Sequence, residues 1–528
     1  MKYDTLTSHI SDFKRDDLII QLSYLAWKAF DLDDIPDSER ENFTMVQCFA
    51  PRVIAISGAL GNNFAAKIPD NLDALNVCKL VVEVDDGVGD PELLEEEKKF
   101  TAEALQKSKA LQNLGFNETH TLPVIPLLFL QRMMGSQIVP QASRLAPFFR
   151  SWEILKNLNQ VTGGRVASVL IKILGLEAID AYRSTFALFS MINGREQDFG
   201  RAFINIRKSN IQYNVENLYQ ISHHTLELVA SRLSQPLGLL KDWHDEVMKV
   251  HPHYRTFYPL PFYERPLVTS DSLQTEVIGL SSEGTFMCPS PLLFMQGMST
   301  FVFRLLIENK HHFDQNILTD MGHALESYLE RTLANIFPTG QIIRVQDDTS
   351  RNADFIIELE EYILIIECKR NIDSSLSRTM AIGKHQVETW ERIMSALVQC
   401  SNTKKNLHKW TPNTTKPILC VVLTESMPTG QEAFFAYIAQ TCGALKQLEI
   451  EQFELLSIED FEYQFTICDT TDVMEGVFKN WANYRDNTFI NSFVPLSHLK
   501  LNPKYRPYRH LDKTFKELFP NLPNPFME

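Results

Sequence analysis

Two short stretches of the chain, 352–357 and 363–369, read NADFII and ILIIECK. Both are rich in β-branched and aromatic residues and bounded by polar ones, which predicts two β-strands. The polar ELEE at 358–361 between them predicts a turn. Charged side chains at the end of such an apolar run are costly to bury unless another group compensates them. The pair of strands therefore predicts both the centre of a fold and the place of a charged site.

A tight turn at Glu360 and Glu361 would place Asp354 directly opposite Glu367. Opposed residues on neighbouring strands have Cβ atoms roughly 5 Å apart, so two carboxylates there repel unless they share a cation. Lys369 lies two residues beyond Glu367 and therefore on the same face of the strand, while Cys368 is expected on the other face. The turn lacks the Asn-Gly or Asp-Gly of the tightest hairpins, so a shift of one or two residues stays open.

A third carboxylate is expected from a helix upstream, over 311–337. Glu326 lies at the border of its apolar stripe, and Gly322, one turn earlier, leaves room beside it. The acidic side chain can then reach over the strand ends. The stripe is formed by Leu318, Met321, Leu325, Tyr328, Leu329, Leu333 and Ile336.

A second helix is expected downstream, from about 376 to 400, with Gln386 and Trp390 four residues apart on one face. The stretch 417–423, PILCVVL, follows it. An uninterrupted apolar run of this length is typical of a strand buried on both faces.

These pieces, GHALESYL at 322–329, SRNAD at 350–354 and IIECKR at 365–370, resemble the PD-(D/E)xK, or restriction-endonuclease-like, nuclease superfamily. The resemblance covers about residues 311–465, under a third of the chain. It implies an α/β (α+β) core with a central mixed β-sheet flanked by helices, here preceded by a large, mainly helical N-terminal region. Ala353 stands where the superfamily motif has proline.

The resemblance also implies roles for the site residues. Asp354 and Glu367 would ligate Mg²⁺, with the backbone carbonyl of Cys368 as an extra ligand and Glu326 as an auxiliary one. Lys369 would orient or help activate the attacking water. Gln386 with Trp390 is similar to the Gln-x-x-x-Tyr element of the RecB-like branch, with tryptophan in place of tyrosine.

The metal can be argued from the ligands themselves. Coordination by carboxylates, a carbonyl and waters suits Mg²⁺, with Mn²⁺ as a substitute, better than zinc. Spacing alone carries little weight, because Glu-x-Lys also occurs at Glu308/Lys310 in a helical stretch with no partner strand. A structural Glu–Lys pair at a solvated hairpin end is the alternative to a metal site.

At 528 residues the chain is expected to form several domains. The divisions expected are a helical sensor or recruitment domain at 1–260, a connecting segment at 261–310, the nuclease domain at 311–465 and a C-terminal extension at 466–528. The Pro- and aromatic-rich passage 251–266 marks the first boundary. Short strands are expected within the N-terminal region at 44–58 and 78–84. Past the nuclease strands, a helix at 431–444, a strand at 449–456 and a helix capped by Ser457 are expected.

Composition predicts a folded cytoplasmic protein without a membrane span. No signal peptide follows Met1, and the eight cysteines are scattered, without a Cys-x-x-Cys pair. The net charge of −15 is unfavourable for binding nucleic acid, yet acidic residues concentrate in 1–100 and 417–497. The C-terminal tail mixes basic and aromatic residues suited to nucleic acid, although an ordinary solvated tail fits equally well: Lys500, Lys504, Tyr505, Arg506, Tyr508 and Arg509.

The function predicted is Mg²⁺-dependent hydrolysis of DNA, as an endonuclease that acts in host defence against foreign DNA. Two alternatives stay open: a non-cleaving nucleic-acid-binding scaffold on a nuclease-like fold, and an RNA-cleaving effector toxin. No P-loop is present, so translocation coupled to ATP would need a separate ATPase or regulatory partner. Association into a homo-oligomer is also left open.

Overall fold

A computed structural model describes most of the chain. The described residues are 3–30, 36–65, 67–83, 91–117, 145–193, 202–206, 215–250, 260–269, 284–313, 316–337, 341–345, 352–370, 383–425, 442–468, 470–485 and 508–523. They form a mixed α/β structure that is mostly helical and contains two small mixed sheets.

The α-helices of the described residues are α1 Tyr3–Ser11, α2 Arg15–Lys28, α3 Asp37–Leu60, α4 Asn71–Glu83, α5 Pro91–Lys107, α6 Lys109–Asn113, α7 Ala146–Val161, α8 Arg165–Leu174, α9 Ala178–Asn193, α10 His223–Leu233, α11 Leu239–Val250, α12 Pro291–Glu308, α13 Ile317–Ile336, α14 Gly383–Lys405, α15 Ala444–Gln447, α16 Ile458–Ile467, α17 Thr470–Arg485 and α18 Asp512–Leu518. The strands are β1 Phe203–Asn205, β2 Ser234–Gln235, β3 Leu267–Thr269, β4 Thr285–Met287, β5 Gln341–Arg344, β6 Phe355–Glu358, β7 Ile363–Lys369, β8 Ile418–Thr424 and β9 Phe453–Ser457.

The larger sheet has the order β5-β6-β7-β8-β9. Strands β5, β6 and β7 are antiparallel neighbours, whereas β7, β8 and β9 run parallel. Phe355 pairs with Ile366, and the Leu359 amide donates to the Tyr362 carbonyl at 2.9 Å, which closes a tight turn. The register expected from the turn at 360 and 361 is thus confirmed without a shift.

Helices α13 and α14 flank this sheet, and both depart from the expected bounds. Asn316 caps α13 by accepting the Leu318 amide at 3.1 Å, so the helix begins there and not at His311. Leu318 lies in the first turn and is 44% exposed, so its place in the apolar stripe was wrong. Helix α14 continues to Lys405, past the expected end at 400. Strand β8 is confirmed, with its residues from 419 to 424 buried.

The N-terminal region is helical, as expected, but its two expected strands were wrong. Residues 44–58 lie within α3, and residues 78–83 lie within α4. The apolar run from Val53 to Ile56 is wholly buried because α3 packs against α2, α4 and α11 at once. A helix covered on several sides loses the polar face that would reveal its period of 3.6 residues.

A four-stranded sheet lies between the helices of the N-terminal half, in the order β1-β4-β3-β2. Two of its strands precede residue 260 and two follow it, so backbone pairing crosses the expected boundary between 1–260 and 261–310. No helix among the described residues is long and apolar enough to cross a membrane.

After β8, the expected helix at 431–444 falls largely outside the described residues, and the expected strand is shorter, over 453–457. Ser457 caps α16 as expected, accepting the Asp460 amide at 3.0 Å. In the tail, Lys500, Lys504, Tyr505 and Arg506 lie outside the described residues. Tyr508 is 3% exposed, so at that residue neither expected alternative, a ring that stacks on bases or a solvated tail, agrees with the structure.

Candidate functional site

The site begins at the backbone that sets Asp354 beside Glu367. Asp354 directly precedes β6, and its amide donates to the Ile366 carbonyl at 3.0 Å. Its own carbonyl accepts the Val345 amide at 2.9 Å, which ties this residue to the end of β5 as well. The end of β5, the start of β6 and the middle of β7 therefore meet at Asp354, and the sequence expectation that it adjoins Glu367 agrees with this register.

Glu367 is the most deeply buried acid of the group, at 2% exposure. Its Oε1 accepts the Lys369 ammonium at 2.5 Å, whereas its Oε2 is buried without a hydrogen-bond partner. Burial, followed by repulsion from Asp354, raises the pKa of Glu367 to about 8 even though Lys369 opposes the shift. An unpartnered buried carboxylate oxygen is costly, and a bound cation would compensate it.

Asp354 is held from the opposite strand. Its Oδ2 accepts the Cys368 amide at 2.8 Å. Burial, and then the negative charge of Glu326, raise the pKa of Asp354 to about 6, although its contacts with Cys368 and Lys369 lower it. The side chain of Cys368 is half-buried, and the expectation that it faces away from Glu367 and Lys369 stays a prediction.

Lys369 lies between two acceptors. Besides Glu367, its ammonium donates to Gln399 Oε1 at 2.6 Å. Gln399 in turn donates through Nε2 to the Asn352 carbonyl at 3.2 Å. One turn further along α14, Thr403 Oγ1 accepts the Ala353 amide at 2.7 Å. Gln399 and Thr403 thus hold both Lys369 and the segment that carries Asp354.

Sequence reasoning missed Gln399 and Thr403 and singled out Gln386 on the same helix. Gln386 lies in the first turn of α14, and its side chain is outside what the structure describes. Thirteen residues separate it from Gln399, which is roughly 20 Å along a helix axis. Trp390 is buried in the core. One sequence signal could have found Gln399. Gln399 and Thr403 are polar residues four apart, and they border the buried face of α14 formed by Ala396, Leu397 and Cys400.

Glu326 lies on α13, on the same side as the charged group, but its carboxylate is engaged elsewhere. Its Oε2 lies 3.3 Å from Arg344 Nη2 and 3.5 Å from His323 Nδ1. Its charge nevertheless acts on both buried acids, since it contributes to the raised pKa of Asp354 and of Glu367.

The residues present fit a hard divalent cation in donor chemistry. Asp354, Glu367 and the Cys368 carbonyl would supply oxygen ligands, and the orphaned Glu367 Oε2 is the feature that a cation would compensate. Among the described residues, however, no group of three or more His, Cys, Asp or Glu side chains is arranged to hold a metal ion. The pairing of Glu326 with Arg344 accounts for the third acid not joining the pair.

The geometry can do two things chemically: it places two carboxyl groups side by side, whose ionised forms a cation would stabilise, and it fixes an ammonium beside them. Comparison of the chain with protein-family models, with curated proteins and with solved structures gives no match.

Proposed function

We propose that residues 311–465 form a restriction-endonuclease-like core of the PD-(D/E)xK type and that the protein hydrolyses phosphodiester bonds of DNA with Mg²⁺. The observation that carries the proposal is the juxtaposition of Asp354, at the start of β6, with Glu367 on β7, whose Oε2 is buried and unpartnered. The element order α13-β5-β6-β7-α14-β8 agrees with the resemblance seen in the sequence.

The chemistry follows from the charges. When bound, Mg²⁺ would polarise a phosphoryl oxygen and lower the pKa of a coordinated water. Asp354 and Glu367 would bind the ion, and both would then be ionised, because a nearby cation reverses the shifts caused by burial and repulsion. Lys369, fixed by Glu367 and Gln399, presents a compact positive charge where negative charge develops.

DNA as the substrate and host defence as the setting rest on the superfamily resemblance, and RNA is the second substrate to test. A non-cleaving scaffold is the competing function, and one observation favours it: Glu326 is paired with Arg344 rather than with the other two acids. Against it stands the cost of burying Glu367, which gives a scaffold no benefit.

The direct test is cleavage of supercoiled plasmid, linear duplex, single-stranded DNA and RNA by the purified chain, with Mg²⁺ or EDTA. We expect Mg²⁺-dependent cutting that falls at least about 100-fold in Asp354→Asn and in Lys369→Ala. Lys310→Ala is the matched control, since it belongs to the Glu308-x-Lys310 sequence at a helix end. Full cutting by the Asp354 and Lys369 variants would disprove the site assignment.

A second measurement does not depend on turnover. In EDTA at about pH 9, where the Glu367 carboxyl is ionised, Glu367→Gln removes a buried charge and is expected to raise the free energy of unfolding by about 1–3 kcal/mol. Mg²⁺ should raise the melting temperature of the wild type and leave that of the variant unchanged. A wild type that does not respond to Mg²⁺ would favour the scaffold.

A further inference from the structure

Arg344 is placed at the site by the sheet itself. It is the last residue of β5 and pairs with Phe355, which directly follows Asp354. The next residue, Val345, donates its amide to the Asp354 carbonyl at 2.9 Å. Neither the motif spacing nor the resemblance singles out this arginine. It is nevertheless the chain neighbour of Val345, whose amide bonds to Asp354.

The guanidinium of Arg344 bridges two carboxylates of α13. Its Nη2 lies 3.3 Å from Glu326 Oε2, and its Nη1 lies 3.0 Å from Glu330 Oε2, one turn further along the helix. The side chains of Arg344 and Glu326 are 37% and 25% exposed. Ion pairs with this much solvent contact are weak and exchange readily for stronger partners.

Glu326 is therefore placed between two competing attractions. Its carboxylate lies against the last residue of β5, and the next residue, Val345, is hydrogen-bonded to Asp354. A divalent cation held by Asp354 and Glu367 would therefore attract Glu326. A doubly charged ion with direct oxygen ligation outcompetes a partly solvated guanidinium. Arg344 would remain beside the site, because Glu330 still holds its Nη1.

We propose that Arg344 is a gate at the metal site: it holds Glu326 in the metal-free protein and turns its freed N–H groups to a phosphate oxygen of nucleic acid once a divalent metal draws Glu326 away. This inference rests on the proposed function. Arginine suits both positions, since its planar fork of donors matches carboxylate and phosphate alike. Metal binding and substrate binding are thereby linked through one side chain.

The test is calorimetric titration of Mn²⁺ into the full chain without nucleic acid. Arg344→Gln removes the ion pair that holds Glu326. We expect Mn²⁺ to bind about two- to five-fold more tightly, because the ion no longer has to displace a surface ion pair of modest strength. Arg331→Gln is the matched control, because it removes an equal charge from a nearby arginine that pairs with Glu153 and Asn157 instead. In the background of Glu326→Gln, the substitution of Arg344 should have no effect on Mn²⁺ affinity.

Nucleic acid supplies the second readout. At saturating Mn²⁺, Arg344→Gln should raise KM for DNA about tenfold through the lost charge-assisted bond, with a smaller change in kcat. Unchanged Mn²⁺ affinity in Arg344→Gln, or an equal gain in Arg331→Gln, would overturn the gate while leaving the nuclease proposal intact. An unchanged KM would overturn the phosphate contact. A wild type that binds no Mn²⁺ would overturn both the gate and the proposed function.

Discussion

Lys369 receives its two acceptors from different elements, Glu367 from its own strand and Gln399 from α14. A flexible lysine held at both sides keeps its ammonium in one place, and under the proposed function this positioning would contribute to the rate. Because Gln399 acts through Lys369, it is a positioning residue.

We expect Gln399→Leu to lower kcat for DNA cleavage about tenfold while KM changes little, since the ammonium loses an acceptor worth roughly 1 kcal/mol or more. The check is steady-state kinetics at saturating Mg²⁺. Ser395→Ala, on an exposed position one turn earlier in α14, is the control and should behave as the wild type. A raised KM with unchanged kcat in Gln399→Leu would argue for a substrate contact instead.

For single residues, the sequence predicted the contacts that a local pattern determines. Asp354 and Glu367 could be paired from the turn at Glu360 and Glu361, because a hairpin fixes its own register. Gln399 could not be found in this way, since its contact depends on how α14 is rotated and shifted against the sheet.

Elements that contact several others were the hardest to predict. The sequence predicted strands β6, β7 and β8 because each is an apolar run bounded by polar turn residues. Helix α3 was read in part as a strand because it is buried on more than one side. Gly58, near the end of α3, lies close against α11: a Cβ built there would overlap Leu240 Cδ1 and lie 3.3 Å from Leu237 Cδ1.

We therefore expect Gly58→Val to lower the free energy of unfolding by about 1–3 kcal/mol through overpacking. Gly322→Ala is the matched control: this glycine is also inside a helix, and a Cβ there meets nothing within 4 Å. It should stabilise the protein by up to about 1 kcal/mol through helix propensity. Urea denaturation of both variants measures the difference. A neutral Gly58→Val would show that α3 and α11 are not in close contact.

Across the whole molecule, the two halves of the chain share a buried polar cluster. Arg150 of α7 donates to Glu462 of α16 at 2.7 Å, and Tyr328 of α13 donates to the same carboxylate at 2.7 Å. His510, from the C-terminal segment, lies 3.6 Å from it. Helix α13 also carries Glu326, so the N-terminal half supports the helix that borders the site.

No sequence pattern reveals such a pairing, because its partners lie 312 residues apart and each sits on an ordinary amphipathic helix. The division into domains at 260 and 310 was argued from composition, which reports on local linkers and not on contacts of this range. Neither the shared cluster nor the sheet that pairs strands across residue 260 can be recognised without the folded structure.

The cluster has a consequence for stability in acid. Burial opposes ionisation of Glu462, but Arg150 and His510 outweigh it and lower the pKa from 4.5 to about 2. A carboxyl whose pKa is lower in the folded state stabilises the fold fully above its unfolded pKa of about 4.5, and this contribution is lost as the pH falls toward 2. We expect the free energy of unfolding of the wild type to fall by up to about 3 kcal/mol across this window.

Glu462→Gln should lower stability near neutral pH, because Arg150 is left buried without a counter-charge, and should flatten the decline between pH 4.5 and 2. Glu517→Gln is the control, since Glu517 pairs with Lys156 on the same helix as Arg150 but is 36% exposed. It should keep the slope of the wild type. Denaturant titrations at successive pH values measure these slopes, and a Glu462→Gln profile parallel to that of the wild type would mean that other carboxyls govern acid unfolding. If the slope does follow Glu462, the contact between α7, α13 and α16 is held by charge, and α13, the helix beside Asp354 and Glu367, depends on the N-terminal half for its position.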